Sequence, residues 1–238
     1  MGEFLTGLRA NTATFTRQRS NLLLLVILPV VLVEGFGRAM ASFPSLPMME
    51  TLPASQGRLL GALFATAFIT GIVGLSQVIS ARQADQRLVE TGYPFSTMLM
   101  TRLATVVCSC LLISAVSYLV LQSTVTVAAP VTAYLALLLS GTSYGLLGVL
   151  IGALVPDELA GSLLIVFVAD IDGFLGATLS NPPPLLEWFP LYHPKQVFES
   201  AVMTGTVSPR PLVTAIGYAV VLGVLVFVTF TRTLGRGA

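Results

Sequence analysis

The sequence predicts an all-α polytopic membrane protein, and three observations predict it. Of its 238 residues, 55% are hydrophobic and 10% are charged, whereas a soluble domain carries about 25% charged residues. Between Leu103 and Pro156 there is no Asp, Glu, Lys, Arg or His. At about 20 residues per crossing, that stretch alone can cross a bilayer twice. The apolar runs are also far longer than barrel strands of about 10 residues, and a helix satisfies its own backbone hydrogen bonds in lipid. A formal net charge of +1, without a basic tail, gives no footing for nucleic acid.

Residues 3–20 precede the first apolar run. Phe4, Leu8 and Phe15 recur there at helical spacing, with Arg9, Arg17 and Arg19 set elsewhere. This pattern predicts a helix lying in the membrane interface; a frayed, unstructured tail is the alternative. The opening Met1-Gly2-Glu3-Phe4-Leu5-Thr6 fits a myristoylation pattern. It is read as chance, because a multi-span chain needs no such anchor. Six spans follow, over about 21–41, 58–80, 97–121, 131–155, 158–180 and 211–231. Arg and Lys concentrate at cytoplasmic ends. With the N-terminus inside, Arg9, Arg17, Arg19, Arg82, Arg87, Arg102, Arg232 and Arg236 are cytoplasmic, against Arg38, Arg58, Lys195 and Arg210 outside. Eight against four favours both termini in the cytoplasm.

The connections carry most of the polar character. Residues 81–96 hold Arg82, Asp85, Arg87 and Glu90, then Gly92-Tyr93-Pro94, between two long apolar runs. In the fourth span Gly141, Gly145, Gly148 and Gly152 form one stripe that lets another helix approach closely, within the subunit by default. Cys108 and Cys110 point to nearly opposite helix faces at 100° per residue, so they are read as packing residues. Asp157 and Glu158 stand where they cap the fifth span and favour its dipole. Residues 181–205 contain Pro182, Pro183, Pro184, Pro190 and Pro194 with Leu185, Leu186, Trp188, Phe189, Leu191 and Tyr192. That is too apolar for a free loop and too interrupted for one helix, which suits an external segment dipping into the outer leaflet.

Ionisable residues inside spans are costly and mark function or pairing. Glu34 and Arg38, four apart, are positioned to pair along their helix. Asp170 and Asp172 lie in the outer half of the fifth span on different faces. They are candidates for a substrate path, or for one of them meeting Arg38 across a helix interface. A single histidine, His193, leaves no basis for a histidine-based zinc site. There is no G-x-S-x-G and no G-x-x-x-x-G-K-[ST], and the single lysine is Lys195. No catalytic residue, metal ligand or nucleotide motif is read in this chain.

The order of these features resembles the membrane subunit of ABC-2-type ABC transporters, a family that includes bacterial and archaeal drug-export permeases. The N-terminal segment is similar to the family's connecting helix. The charged stretch leading to Tyr93-Pro94-Phe95-Ser96 and Arg102 is similar to its coupling region, and the Pro- and aromatic-rich segment before the last span to its re-entrant external helices. The family's Arg-x-Gly-Thr-Leu-Glu is replaced by Arg82-Gln83-Ala84-Asp85-Gln86-Arg87-Leu88, which lacks the Gly-Thr. The resemblance implies a non-catalytic permease in the cell membrane that exports a drug or other small amphiphile. It implies pairing with an identical or homologous permease and with two copies of a separate ATPase that binds ATP and Mg. It further implies ATPase contacts at Arg82, Asp85, Arg87, Leu88, Glu90 and Tyr93, and re-entrant positions at Trp188, Phe189, Tyr192 and His193. A secondary transporter or channel without an ATPase, or a non-transporting scaffold, are the competing readings. The first would favour inverted repeats with matched broken helices, and a Pro-rich interruption occurs only before the sixth span.

Overall fold

The computed structural model describes residues 19–42, 54–82, 84, 87, 95–175 and 184–234. No strand occurs among them. The α-helices are α1 (Arg19–Ser42), α2 (Ala54–Ile79), α3 (Phe95–Gln122), α4 (Pro130–Leu154), α5 (Glu158–Asp170), α6 (Tyr192–Met203) and α7 (Pro209–Leu234). A π-helix, Ile171–Leu175, continues α5, and a 3-10 turn, Pro184–Trp188, precedes α6. Among the described residues five helices, α1, α2, α3, α4 and α7, are long and apolar enough to cross a membrane. This is the architecture of a helical membrane protein. The expected interfacial helix at 3–20 lies outside the described residues apart from Arg19 and Ser20, which open α1.

The expected fifth span, 158–180, is helical over 158–175, and its last residues, 176–180, lie outside the described residues. Its α-helix covers 13 residues and gives way at Ile171 to five residues of π-helix. The start of that helix is as expected: Asp157 caps it, its carboxylate accepting from the Ala160 N–H at 3.1 Å, with Glu158 in the first turn. Asp157→Ala is therefore expected to cost about 1 kcal/mol, read as a small fall in the thermal midpoint in detergent.

α2 is the central post. Around it stand α1, α3, α4 and α5, and α7 and α6 pack on α4 from the other side. The α2–α4 contact is made by glycine on both helices. A Cβ on Gly148 would drive into the Gly71 carbonyl oxygen, and one on Gly74 into that of Gly145. The stripe also admits α3, since a Cβ on Gly141 would lie 2.6 Å from Cys110 Sγ and one on Gly145 would lie 2.6 Å from Val106 Cγ1. The stripe thus packs inside the subunit, and lipid, being as apolar as the side chains, makes such close backbone approach the main source of helix attraction. Cys108 is exposed and Cys110 buried, on opposite faces.

The bundle has two distinguishable ends. At one, Arg58 of α2 meets Glu34 of α1, with Nε–Oε1 at 3.0 Å and Nη2–Oε2 at 3.2 Å. Glu34 therefore pairs across helices and not with Arg38. The two glycine-lined helices run so close that Gly57 abuts the Phe36 carbonyl, which brings Arg58 to Glu34, while Arg38 projects from the outward face. At the other end, Arg82 donates to the Gly152 and Val155 carbonyls at 2.7 and 3.0 Å. Arg102, buried, donates to the Gln77 carbonyl. Both guanidiniums thus sit on the carbonyl-rich C-terminal turns of α4 and α2, where the helix dipole favours a cation.

Candidate functional site

The π-turn that continues α5 holds the most buried carboxylate among the described residues. Asp172, 2% exposed, lies in the π-turn. Such turns widen a helix locally and concentrate at functional sites. Its Oδ2 accepts two hydrogen bonds, from the Tyr144 hydroxyl at 3.0 Å and from the Leu191 backbone N–H at 2.5 Å. Tyr144 is fully buried on α4, and Leu191 is the residue from which α6 starts. α6 has no side-chain cap of its own. Asp172, 19 residues upstream, takes that part by satisfying a free N–H at the positive end of the helix dipole.

This tether fixes where α6 stands. Its first turn is held beside Tyr144, near the middle of α4. Its last turn meets the connection that opens α4: Ala128 N–H donates to Val202 O at 3.1 Å and Ala129 N–H to Ala201 O at 2.9 Å. Between these points Val197, Phe198, Ala201 and Val202 share a core with Ala133, Ala136 and Leu137. At 1.5 Å per residue, the 12 residues of α6 rise about 18 Å. α6 therefore covers the half of α4 nearest the Arg58 end and stops at mid-height. Pro194 falls in its first turn, where a missing N–H costs nothing.

The cation of this region is Lys195, on α6. It is 8% exposed and lies 3.7 Å from Glu199. The Tyr192 and His193 rings meet edge to face at 5.2 Å, both partly buried. Phe189 is partly buried and Trp188 is 76% exposed. The Trp188 carbonyl accepts from the Tyr218 hydroxyl at 2.8 Å, which ties the 3-10 turn to α7.

The candidate residues read from sequence divide three ways. Asp172 is at the centre of the site, but its partners are Tyr144 and Leu191, not Arg38. Asp170 is exposed on the opposite face, as the i, i+2 spacing requires. Arg82 is used within the chain, capping α4, while Arg87 is exposed. Asp85, Leu88, Glu90 and Tyr93 lie outside the described residues. No protein-family model and no curated protein matches this sequence.

Sequence reasoning missed Tyr144, Lys195 and Glu199. Tyr144 had a visible signal, as a bulky hydroxyl-bearing ring beside Gly145 in a stripe of small residues. Nothing near Lys195 indicated that its side chain would turn inward. Among the described residues no group of three His, Cys, Asp or Glu side chains gathers that could hold a metal ion. A buried carboxylate that holds one helix start and one tyrosine hydroxyl is a fastening.

Proposed function

We propose that the chain is the permease subunit of an ATP-driven exporter resembling the ABC-2 type, acting with a separate ATPase on a drug or other small amphiphile. The observation that carries this reading is α6, a half-height helix packed on α4 and α7 and fastened at mid-bundle by Asp172. A six-span chain whose last connection re-enters the membrane from outside would produce that element. The Arg58 end is then external and the Arg82 end cytoplasmic, in keeping with the excess of Arg near the latter. Residues 82–93 form the surface gripped by the ATPase. Arg82 anchors that segment to α4 and Arg87 is available for contact. A pull on the segment reaches the C-terminal turn of α4, the helix that also bears Tyr144.

Recovery of a P-loop ATPase with the tagged chain from its native membranes is the direct test. Recovery of none under mild detergent, together with substrate movement down an ion gradient in vesicles holding this chain alone, would sink the reading. Replacing Arg87 and Glu90 together is expected to uncouple ATP hydrolysis from transport while the protein stays folded. Unchanged coupling would remove residues 82–93 from the contact surface. A secondary transporter is the second reading, favoured by the buried carboxylate at the π-turn. The same gradient measurement decides between them.

A further inference from the structure

The cover that α6 gives to α4 ends at mid-height, and exposure down two helices records where it stops. Residues seven apart share one face of a helix. Down such a row on α4, Ala133 and Ser140 are fully buried, Leu147 is partly buried and Leu154 is 65% exposed. Down a row on α7, Tyr218 is partly buried, Leu225 is 45% exposed and Arg232 is exposed. Tyr218 marks the side of α7 that faces the 3-10 turn, since its hydroxyl donates to the Trp188 carbonyl.

The two rows descend side by side. Val226 and Phe230 share a core with Val149, and Leu150 packs against it. Arg232, two residues further on, therefore comes level with the C-terminal turn of α4. α5 forms the opposite wall. Ile165 and Leu147 belong to one cluster, and Leu164, exposed, lies on the row that leads through Val168 up to Asp172. Below α6 the described residues thus outline a slot. Leu147 and Leu154 are its floor, Leu164 and Leu225 its walls, and the 3-10 turn with Trp188 closes its upper end.

Depth and charge decide what fits there. From Ser140 to Leu154, α4 descends 14 residues, about 21 Å at 1.5 Å per residue. One leaflet supplies about 15 Å of hydrocarbon with its headgroups beyond. The slot is apolar over that depth, and Arg232 stands at its mouth, where a guanidinium meets a phosphate. The carboxylates at the same end, Asp157 and Glu158, open α5 on the opposite wall, and Asp157 is engaged in its cap.

We propose that the slot holds one phospholipid from the leaflet at the Arg232 end. Its phosphate rests on Arg232, one acyl chain lies between α5 and α7, and the end of that chain reaches the Trp188 turn. The bound chain supplies below mid-height the packing that α6 supplies above it, and so supports α6 from beneath. The inference stands apart from the permease reading, since it uses only the depth of the slot and the charge at its mouth.

The test uses the full chain in detergent and a phosphatidylglycerol brominated near the end of one acyl chain. Bromine quenches tryptophan on close approach, and Trp188 is the single tryptophan. Quenching is expected to saturate at one lipid per chain, and Arg232→Glu to weaken binding about tenfold. Native mass spectrometry counts the same lipid without a fluorophore: one retained by wild type, and none by Leu225→Trp, whose ring fills the slot. Val220→Trp, exposed and about 140° around α7 from Leu225, controls for folding and should retain it. Quenching that never saturates, equal affinity in wild type and R232E, or a lipid retained by L225W would each overturn the slot. So would displacement of the lipid by an equal concentration of Nile red, an uncharged amphiphile, which would assign the slot to cargo.

Discussion

Replacing Asp172 by Ala is expected to release α6 and abolish transport while the five long helices remain folded. The substitution leaves the buried Tyr144 hydroxyl and the Leu191 N–H without their acceptor, and each such buried group costs about 1–3 kcal/mol. The helix dipole loses its anion as well. Even the lower figure, summed over both groups, displaces the fastened state by more than tenfold. Asp172→Asn keeps an acceptor oxygen and should fall between Ala and wild type, and Tyr144→Phe removes only one of the two bonds. Trp188 is the single tryptophan, and its 3-10 turn leads directly into α6, so its emission reports the release without a label. An Ala variant with wild-type transport and unchanged Trp188 emission would show that the fastening has no part in the transport cycle.

Gly148→Val is expected to be the most destabilising single change in the membrane-embedded core. The first added carbon meets the backbone carbonyl of Gly71, and neither backbone can yield unless α2 and α4 separate. Overpacking costs about 1–3 kcal/mol in an ordinary core, occasionally more. Here the added side chain also abolishes the close backbone approach on which helix association in lipid depends. The thermal midpoint in detergent should fall on the order of 5–10 °C. Gly223→Val on α7 is the control, because a Cβ there meets nothing within 4 Å. Equal midpoints for the two variants would mean that the glycine stripe does not set the spacing of the central helices.

How much is legible in the sequence depends on how local the cause is. Hydrophobic runs place α1, α2, α3, α4 and α7 within a few residues of their observed ends, because burying a span in lipid depends only on its own composition and length. The Asp157 cap and the opposite facing of Cys108 and Cys110, or of Asp170 and Asp172, follow from helix geometry alone. The pairing of Glu34 escapes a local reading for the complementary reason. An i, i+4 partner is always near in sequence, but Arg58 is brought closer by the glycine-lined contact of α1 and α2, which no local pattern reports.

The sequence by itself determined that this chain is a helical membrane protein, where its apolar helices run, and that its fourth span carries a glycine stripe. Those properties follow from transfer of side chains to lipid and from the 3.6-residue turn. The tertiary structure decided which helix the stripe receives, that Arg82 closes the end of α4, and that α6 starts at mid-bundle. Above all it decided that Asp172, Tyr144 and Leu191 form one site. They come from three elements separated by a helix, a connection and a run of prolines. Only the packing of α5 and α6 against α4 brings a carboxylate, a hydroxyl and a free N–H within hydrogen-bond reach.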